Sequence, residues 1–176
     1  MTPHTAPPLT LVLGGARSGK SRYAESLITA LPPPWIYVAT AEAGDAEMAE
    51  RIALHRERRG EDWHTVEAPH DLAAALAGIE SNAPVLVDCL TLWLSNRMLT
   101  EADVETDAAR LEAALNKRRV PVVLVSNEVG SGIVPDNALA RRFCDLQGRL
   151  NQRMAARADR VVLMVAGLPL MVKDAG

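Results

Sequence analysis

At 176 residues the chain is long enough for one core that buries about two-thirds of the surface exposed by its unfolded form. Aromatic residues make up only 3%, too few for a base-stacking platform, and 19 Lys+Arg against 22 Asp+Glu give a net charge of -3. That balance excludes a general affinity for nucleic acid, so any phosphate binding must be local.

The chain opens on Met1 to Pro8, which carries three prolines and no basic run followed by an apolar stretch. It reads as a disordered tail rather than a leader or anchor, with residues 9–176 forming a single domain. No apolar run approaches the ~20 residues of a membrane span. The two cysteines, Cys89 and Cys144, have no metal-ligand spacing and point to a reducing, cytoplasmic setting.

Nearly unbroken apolar runs recur at Leu9–Leu13, Trp35–Ala39, Val85–Val87, Val120–Val125 and Val161–Val165. Such runs suit strands covered on both faces. Between them lie segments of helical period, such as Tyr23, Leu27 and Leu31, or Leu139, Phe143, Leu146 and Leu150. Strand and helix in alternation predict an α/β fold, a mainly parallel sheet with helices on both faces. Pro135-Asp136 signals the start of the last long helix, with Asp136 as its cap and an end near Ala158. After Gly167 and Pro169, Leu170–Lys173 is expected to return as a short antiparallel strand.

Between the first run and the first helix stands Gly14-Gly15-Ala16-Arg17-Ser18-Gly19-Lys20-Ser21, a full G-x-x-x-x-G-K-[ST] motif in the strand-to-helix context its mechanism requires. Its glycines let backbone N–H groups turn inward around phosphate oxygens, and the helix that follows presents its positive end to the same anion. Lys20 reaches the β and γ phosphates of a nucleoside triphosphate. Ser21 supplies a hydroxyl for Mg²⁺, and Asp88, closing Val85-Leu86-Val87, is the second metal anchor. The motif places the fold among three-layer P-loop NTPase-type domains.

The segment Arg51-Ile52-Ala53-Leu54-His55-Arg56-Glu57-Arg58-Arg59 reads as a basic helix. On it Arg51, His55 and Arg59 share one face at i, i+4 and i+8, an imidazole flanked by guanidinium groups. A neutral imidazole is a nucleophile toward phosphorus, and the arginines would stabilise the charge on the phosphoryl oxygens. Spacing alone is equally that of an exposed helix whose Glu50, Glu57 and arginines pair across turns. His4, His64 and His70 are incidental by comparison, the last two at solvent beside a short Thr65-Val66-Glu67 piece.

From Leu9 to Lys173 the chain resembles the adenosylcobinamide kinase/adenosylcobinamide-phosphate guanylyltransferase family. The resemblance rests on the P-loop, Tyr37-Val38-Ala39-Thr40-Ala41, Arg51-Ile52 with His55-Arg56, and Trp63-His64-Thr65-Val66-Glu67. It continues through Val87-Asp88-Cys89-Leu90-Thr91, Ser126-Asn127-Glu128-Val129-Gly130 and Gly132-Ile133-Val134-Pro135 into the last helix. It implies phosphorylation of adenosylcobinamide by ATP or GTP, then transfer of GMP from GTP through a guanylyl-histidine. By that resemblance His55 is the guanylylated residue, Gly14 to Ser21 the phosphate loop, and Ala39, Thr40, Ala41, Arg56, Glu57, Arg58, Arg59, Glu67 and Asp88 nucleotide-contacting positions. It further implies a homotrimer with active sites near subunit boundaries. Gly60 departs from the family pattern, where a proline is expected. The residues themselves leave open a simple small-molecule kinase or a nucleotide-switched binding protein, and Glu128 is a candidate base for the kinase step.

Overall fold

The computed structural model describes residues 8–44, 46–57 and 59–175, with the side chains of Arg51, His55 and Arg56 outside that description. The expectations for Met1–Pro7 and Arg58, and for the side chains of His55 and Arg56, therefore lie outside the described residues.

Seven strands form one sheet: β1 (Leu9–Gly14), β2 (Trp35–Ala39), β3 (Trp63–Glu67), β4 (Val85–Asp88), β5 (Val122–Asn127), β6 (Arg160–Val165) and β7 (Leu168–Asp174). Their order is β3-β2-β4-β5-β1-β6-β7. Every pairing is parallel except β6 with β7, which is antiparallel, as the glycine and proline after the fifth apolar run predict. The turn between them places Ala166 at φ 51 and Gly167 at φ 81. The carbonyl of Pro8 accepts from the Val122 N–H at 2.8 Å, so the ladder begins one residue before β1.

The helices are α1 (Lys20–Thr29), α2 (Ala46–Glu57), α3 (Leu72–Gly78), α4 (Leu90–Leu99), α5 (Val104–Lys117) and α6 (Ala138–Arg157). Alternation along the strands assigns their two faces to two cores. Leu11, Val38, Val87 and Leu124 pack with Leu72 and Leu76 of α3, Trp93 of α4, Leu111 of α5 and Leu150 of α6. Val12, Tyr37, Leu86 and Val125 pack on the opposite face with Ala24 and Ile28 of α1. Helices thus cover both faces of a sheet whose central strands are buried, the three-layer arrangement the unbroken apolar runs require.

Two local readings are corrected. The cap of α6 is Asn137, whose side-chain oxygen accepts from the Ala140 N–H at 2.7 Å, one residue later than Asp136. Asn and Asp are near-equal caps, and the side chain three residues ahead of a free N–H takes the role. The histidine-bearing segment is helical only to Glu57, so Arg59 does not continue its face. A turn closed by Trp63 N–H to Gly60 carbonyl at 3.2 Å redirects the chain into β3. As an edge strand β3 is partly exposed throughout, so its sequence shows no buried apolar run.

Helix α4 ties the strand ends together. Trp93 Nε1 donates to the His70 carbonyl at 2.7 Å, and Asn96 Nδ2 to the carbonyls of Thr40 and Pro69 at 2.8 and 3.0 Å. The buried Thr40 hydroxyl accepts from the Cys89 N–H at 2.8 Å and donates to the Cys89 carbonyl at 2.6 Å. Thr40→Val keeps the shape but orphans both groups, and should lower the unfolding free energy by about 1–3 kcal/mol in urea titration. Thr40→Ser should cost less; equal stability of the valine variant and the wild type would contradict this.

Candidate active site

The parallel register sets Gly14 beside Asn127, Val125 beside Asp88, and Asp88 beside Ala39. Their carboxyl ends consequently open at one level, into a cleft of about 880 Å³. Lys20, Ser21, Tyr37, Ala39, Asp88 and Asn127 line it from the sheet side. Met48, Ala49, Ile52, Ala53 and Glu57 of α2 line it from above, with Arg59 and Glu67 at the far end.

At the near end, the loop into α1 is shaped for an anion. Gly19, the residue before the helix, has φ 91, a left-handed conformation that favours glycine, and no described side chain caps the helix. Its first turn carries no acidic residue of its own to complement the N–H groups and positive dipole end. A Cβ on Gly14 would collide with Ser18 Oγ and lie 3.1 Å from the Met164 carbonyl, so any side chain there would force the loop or its neighbour to shift. Ser18 Oγ is itself buried and has no hydrogen-bond partner among the described residues. Lys20 Nζ folds back to donate to the Gly15 carbonyl at 3.0 Å.

Farther along, Arg59 lays its guanidinium 3.5 Å from the centre of the Tyr37 ring, a cation–π contact inside the cleft wall. Its Nε and Nη1 are buried and have no hydrogen-bond partner among the described residues. Trp63 packs on Trp35 and Tyr37 at ring-centre distances of 5.4 and 6.1 Å, holding that wall rigid. Burial first, and then the Asp88 charge, hold the Tyr37 phenol above its ordinary range, against the opposing pull of Arg59. The same two causes push the Cys89 thiol up to about 11. Both groups stay protonated and neutral beside Asp88, so they add no charge to its own.

Residues 10–172 match the family described as cobinamide kinase / cobinamide phosphate guanyltransferase. The chain belongs to that family. It is 48% identical over 166 residues to the bifunctional adenosylcobalamin biosynthesis protein CobP of Pseudomonas aeruginosa, covering 93% of this chain and 96% of that one. It is 42% identical over 181 residues to the bifunctional adenosylcobalamin biosynthesis protein CobU of Salmonella typhimurium, covering 94% and 99%. Among solved structures, the flagellar accessory protein FlaH of Methanocaldococcus jannaschii superimposes with a TM-score of 0.55 at 11% identity, covering 96% of this chain and 80% of that one. A KaiC-like protein of Pyrococcus horikoshii does so with 0.50 at 13% identity, covering 90% and 72%. At those identities the likeness concerns the fold alone, which is of the P-loop NTPase type.

For this cobinamide kinase/guanyltransferase family member, the structure brings Lys20, Ser21, Ala39, Ala41, Glu57, Arg59, Glu67 and Asp88 into one cleft. The remaining loop residues, Gly14 to Gly19, adjoin it through the start of α1. Thr40 is set apart, its hydroxyl occupied by Cys89. Glu128, the candidate base, does not line the cleft; its carboxylate accepts from the Gly130 N–H at 2.6 Å. Tyr37, Cys89, Leu92 and Asn127 line the cleft without having been singled out as site residues. Cys89 and Asn127 sit at or just past a strand end, Tyr37 in the middle of β2 and Leu92 in the first turn of α4, positions that only the fold discloses.

The raised thiol value carries a sign. A group that holds its proton more tightly when folded leaves stability intact below its unfolded value of 9.0 and removes it as pH climbs toward 11. Urea midpoints measured across that interval should fall more steeply for the wild type than for Cys89→Ala. Parallel curves would mean that the thiol is not held protonated by the fold.

Proposed function

We propose that this chain phosphorylates the aminopropanol hydroxyl of adenosylcobinamide with ATP or GTP, then transfers GMP from GTP to that phosphate through a guanylyl group carried on His55. The observation that carries the reading is the single cleft shared by an uncapped P-loop helix and by α2, the helix that holds His55. A phosphate-binding end and a nucleophile-bearing element face one volume, as two successive transfers from the same kind of donor require.

Phosphate oxygens would take the place of the missing cap at α1, accepting from the first-turn N–H groups and from the Ser18 hydroxyl. Lys20 would exchange the Gly15 carbonyl for the β and γ phosphates, a charge-assisted bond replacing a neutral one. Ser21 and Asp88, both lining the cleft, suit a Mg²⁺ held by few protein oxygens and completed by phosphates and water, which would neutralise charge on the transferring group. Ala39, Ala41, Glu57, Arg59 and Glu67 then meet the rest of the nucleotide, with Arg59 offering Nε and Nη1, two donor nitrogens without a partner among the described residues.

In the first transfer the substrate hydroxyl oxygen bonds to the γ phosphorus, the bond from that phosphorus to the bridging oxygen breaks, and the hydroxyl proton passes to water. In the second, a neutral His55 nitrogen bonds to the α phosphorus of GTP and pyrophosphate leaves. The phosphate oxygen of the first product then displaces the imidazole, giving adenosylcobinamide-GDP and the free histidine. His55 stands three residues beyond Ile52, in the last turn of the helix whose Met48, Ala49, Ile52 and Ala53 line the cleft.

The proposed setting is the cytoplasm, in keeping with free Cys89 and Cys144, and no described helix is long and apolar enough to cross a membrane. The proposed assembly is a homotrimer. Strand β7 is a sheet edge that exposes Leu168, Leu170, Met171 and Val172, the kind of surface that subunit contact covers.

Incubation with labelled GTP and Mg²⁺ should leave one acid-labile GMP per chain by intact mass, absent from His55→Ala. Lys20→Ala should lose phosphate transfer to adenosylcobinamide by about 100-fold or more while keeping its melting temperature. Phosphorylation of adenosylcobinamide without any covalent nucleotide would reduce the protein to a simple kinase.

A further inference from the structure

Among the residues at the strand ends, Asn127 is held with unusual care. Its N–H donates to Thr91 Oγ1 of α4 at 2.8 Å, and its carbonyl accepts from Asn151 Nδ2 of α6 at 3.0 Å. Asn151 is itself fixed by a buried set of amides and a hydroxyl. Ser126 Oγ donates to Asn151 Oδ1 at 2.7 Å, and Gln147 Nε2 donates to Ser126 Oγ and Asn151 Oδ1 at 2.9 and 3.0 Å. Ser126 and Gln147 are fully buried and Asn151 nearly so, and burial strengthens the bonds among them, although Gln147 Oε1 has no partner among the described residues.

The next residue locks onto the phosphate loop, with Glu128 N–H donating to the Gly14 carbonyl at 3.0 Å. Asn127 thus has its backbone tied on both sides and lies directly beside the first P-loop glycine in the sheet register. Asn127 lines the cleft with Lys20, Ser21 and Asp88, and its carboxamide makes no hydrogen bond to a described residue. A neutral amide in that place offers a donor to phosphoryl oxygens without adding negative charge next to them.

We infer that Asn127 is a catalytic residue of the phosphoryl-transfer step, its side-chain N–H donating to a γ-phosphoryl oxygen, and that Ser126, Gln147 and Asn151 are the positioning residues that aim it. The inference rests on the proposed kinase reaction. Charge on the γ-phosphoryl oxygens is redistributed as the bond to the bridging oxygen breaks, and a donor fixed in advance acts without reorganising. Because Asn127 is anchored through its backbone, its side chain can be altered without breaking the anchor.

The test is kcat for phosphorylation of adenosylcobinamide, with nucleotide affinity and melting temperature measured on the same preparations. Asn127→Ala should lower kcat about 100-fold with nucleotide affinity changed less than about tenfold and melting unchanged. Asn127→Asp, of the same shape but acceptor-only, should be at least as slow; recovery of activity in it would mean that the residue merely fills space and would overturn the inference. Asn151→Ala should also lower kcat, and the double variant with Asn127→Ala should be no slower than Asn127→Ala alone, since both act through one donor. A wild type that phosphorylates and an Asn127→Ala variant that matches it would sink this inference alone. A wild type that transfers nothing to adenosylcobinamide would sink the proposed reaction instead, and the same variants would then be compared on ATP hydrolysis, where equal rates again count against Asn127.

Discussion

The constraint on which the rest of the structure depends is the parallel register of β2, β4, β5 and β1. Parallel strands end together, and the register sets Ala39, Asp88, Asn127 and Gly14 along one edge of the sheet. Lys20, Ser21, Asp88 and Asn127, all proposed to act on phosphate, line one cleft at that edge. A slip of one residue in any strand would turn its end away from the cleft, because side chains alternate between faces. Burial on both faces prevents that slip: Leu11 and Val12, or Leu86 and Val87, are fully buried in opposite cores.

Helix α4 converts that register into a rigid site. Thr91, Trp93 and Asn96, spaced along its first two turns, hold the loops after β5, β3 and β2. The chain just before α4 adds the Thr40–Cys89 hydrogen bonds, so four strand ends answer to one element. By contrast, none of the described residues of α2 belongs to either core, and the helix borders the cleft. The phosphate end is therefore built on fixed elements, whereas the histidine rides on the more lightly packed one.

Much of this was legible in the chain alone. The apolar runs locate five strands because two-sided burial leaves a signal that needs no partner to read. The P-loop was legible because the demands on Gly14, Gly19 and Lys20 are local. Strand β3 was not: Trp-His-Thr-Val-Glu is an edge, and its pairing to β2 is decided by the strand beside it. Arg59 was misplaced because helical spacing was extended through Glu57, where the turn at Gly60 and the Tyr37 ring redirect the chain. Asn127 sat in plain view within the Ser126-Asn127-Glu128 segment, yet only the register with Gly14 brings it to the phosphate loop.

The central claim is that the loop from Gly14 to Ser21 grips a triphosphate. A crystal structure with a non-hydrolysable GTP analogue and Mg²⁺ tests it most directly. The account predicts the β and γ phosphates seated on the first-turn amides of α1, with Lys20 Nζ drawn from the Gly15 carbonyl onto phosphate oxygen. Phosphates bound elsewhere, with Lys20 still on that carbonyl, would contradict it.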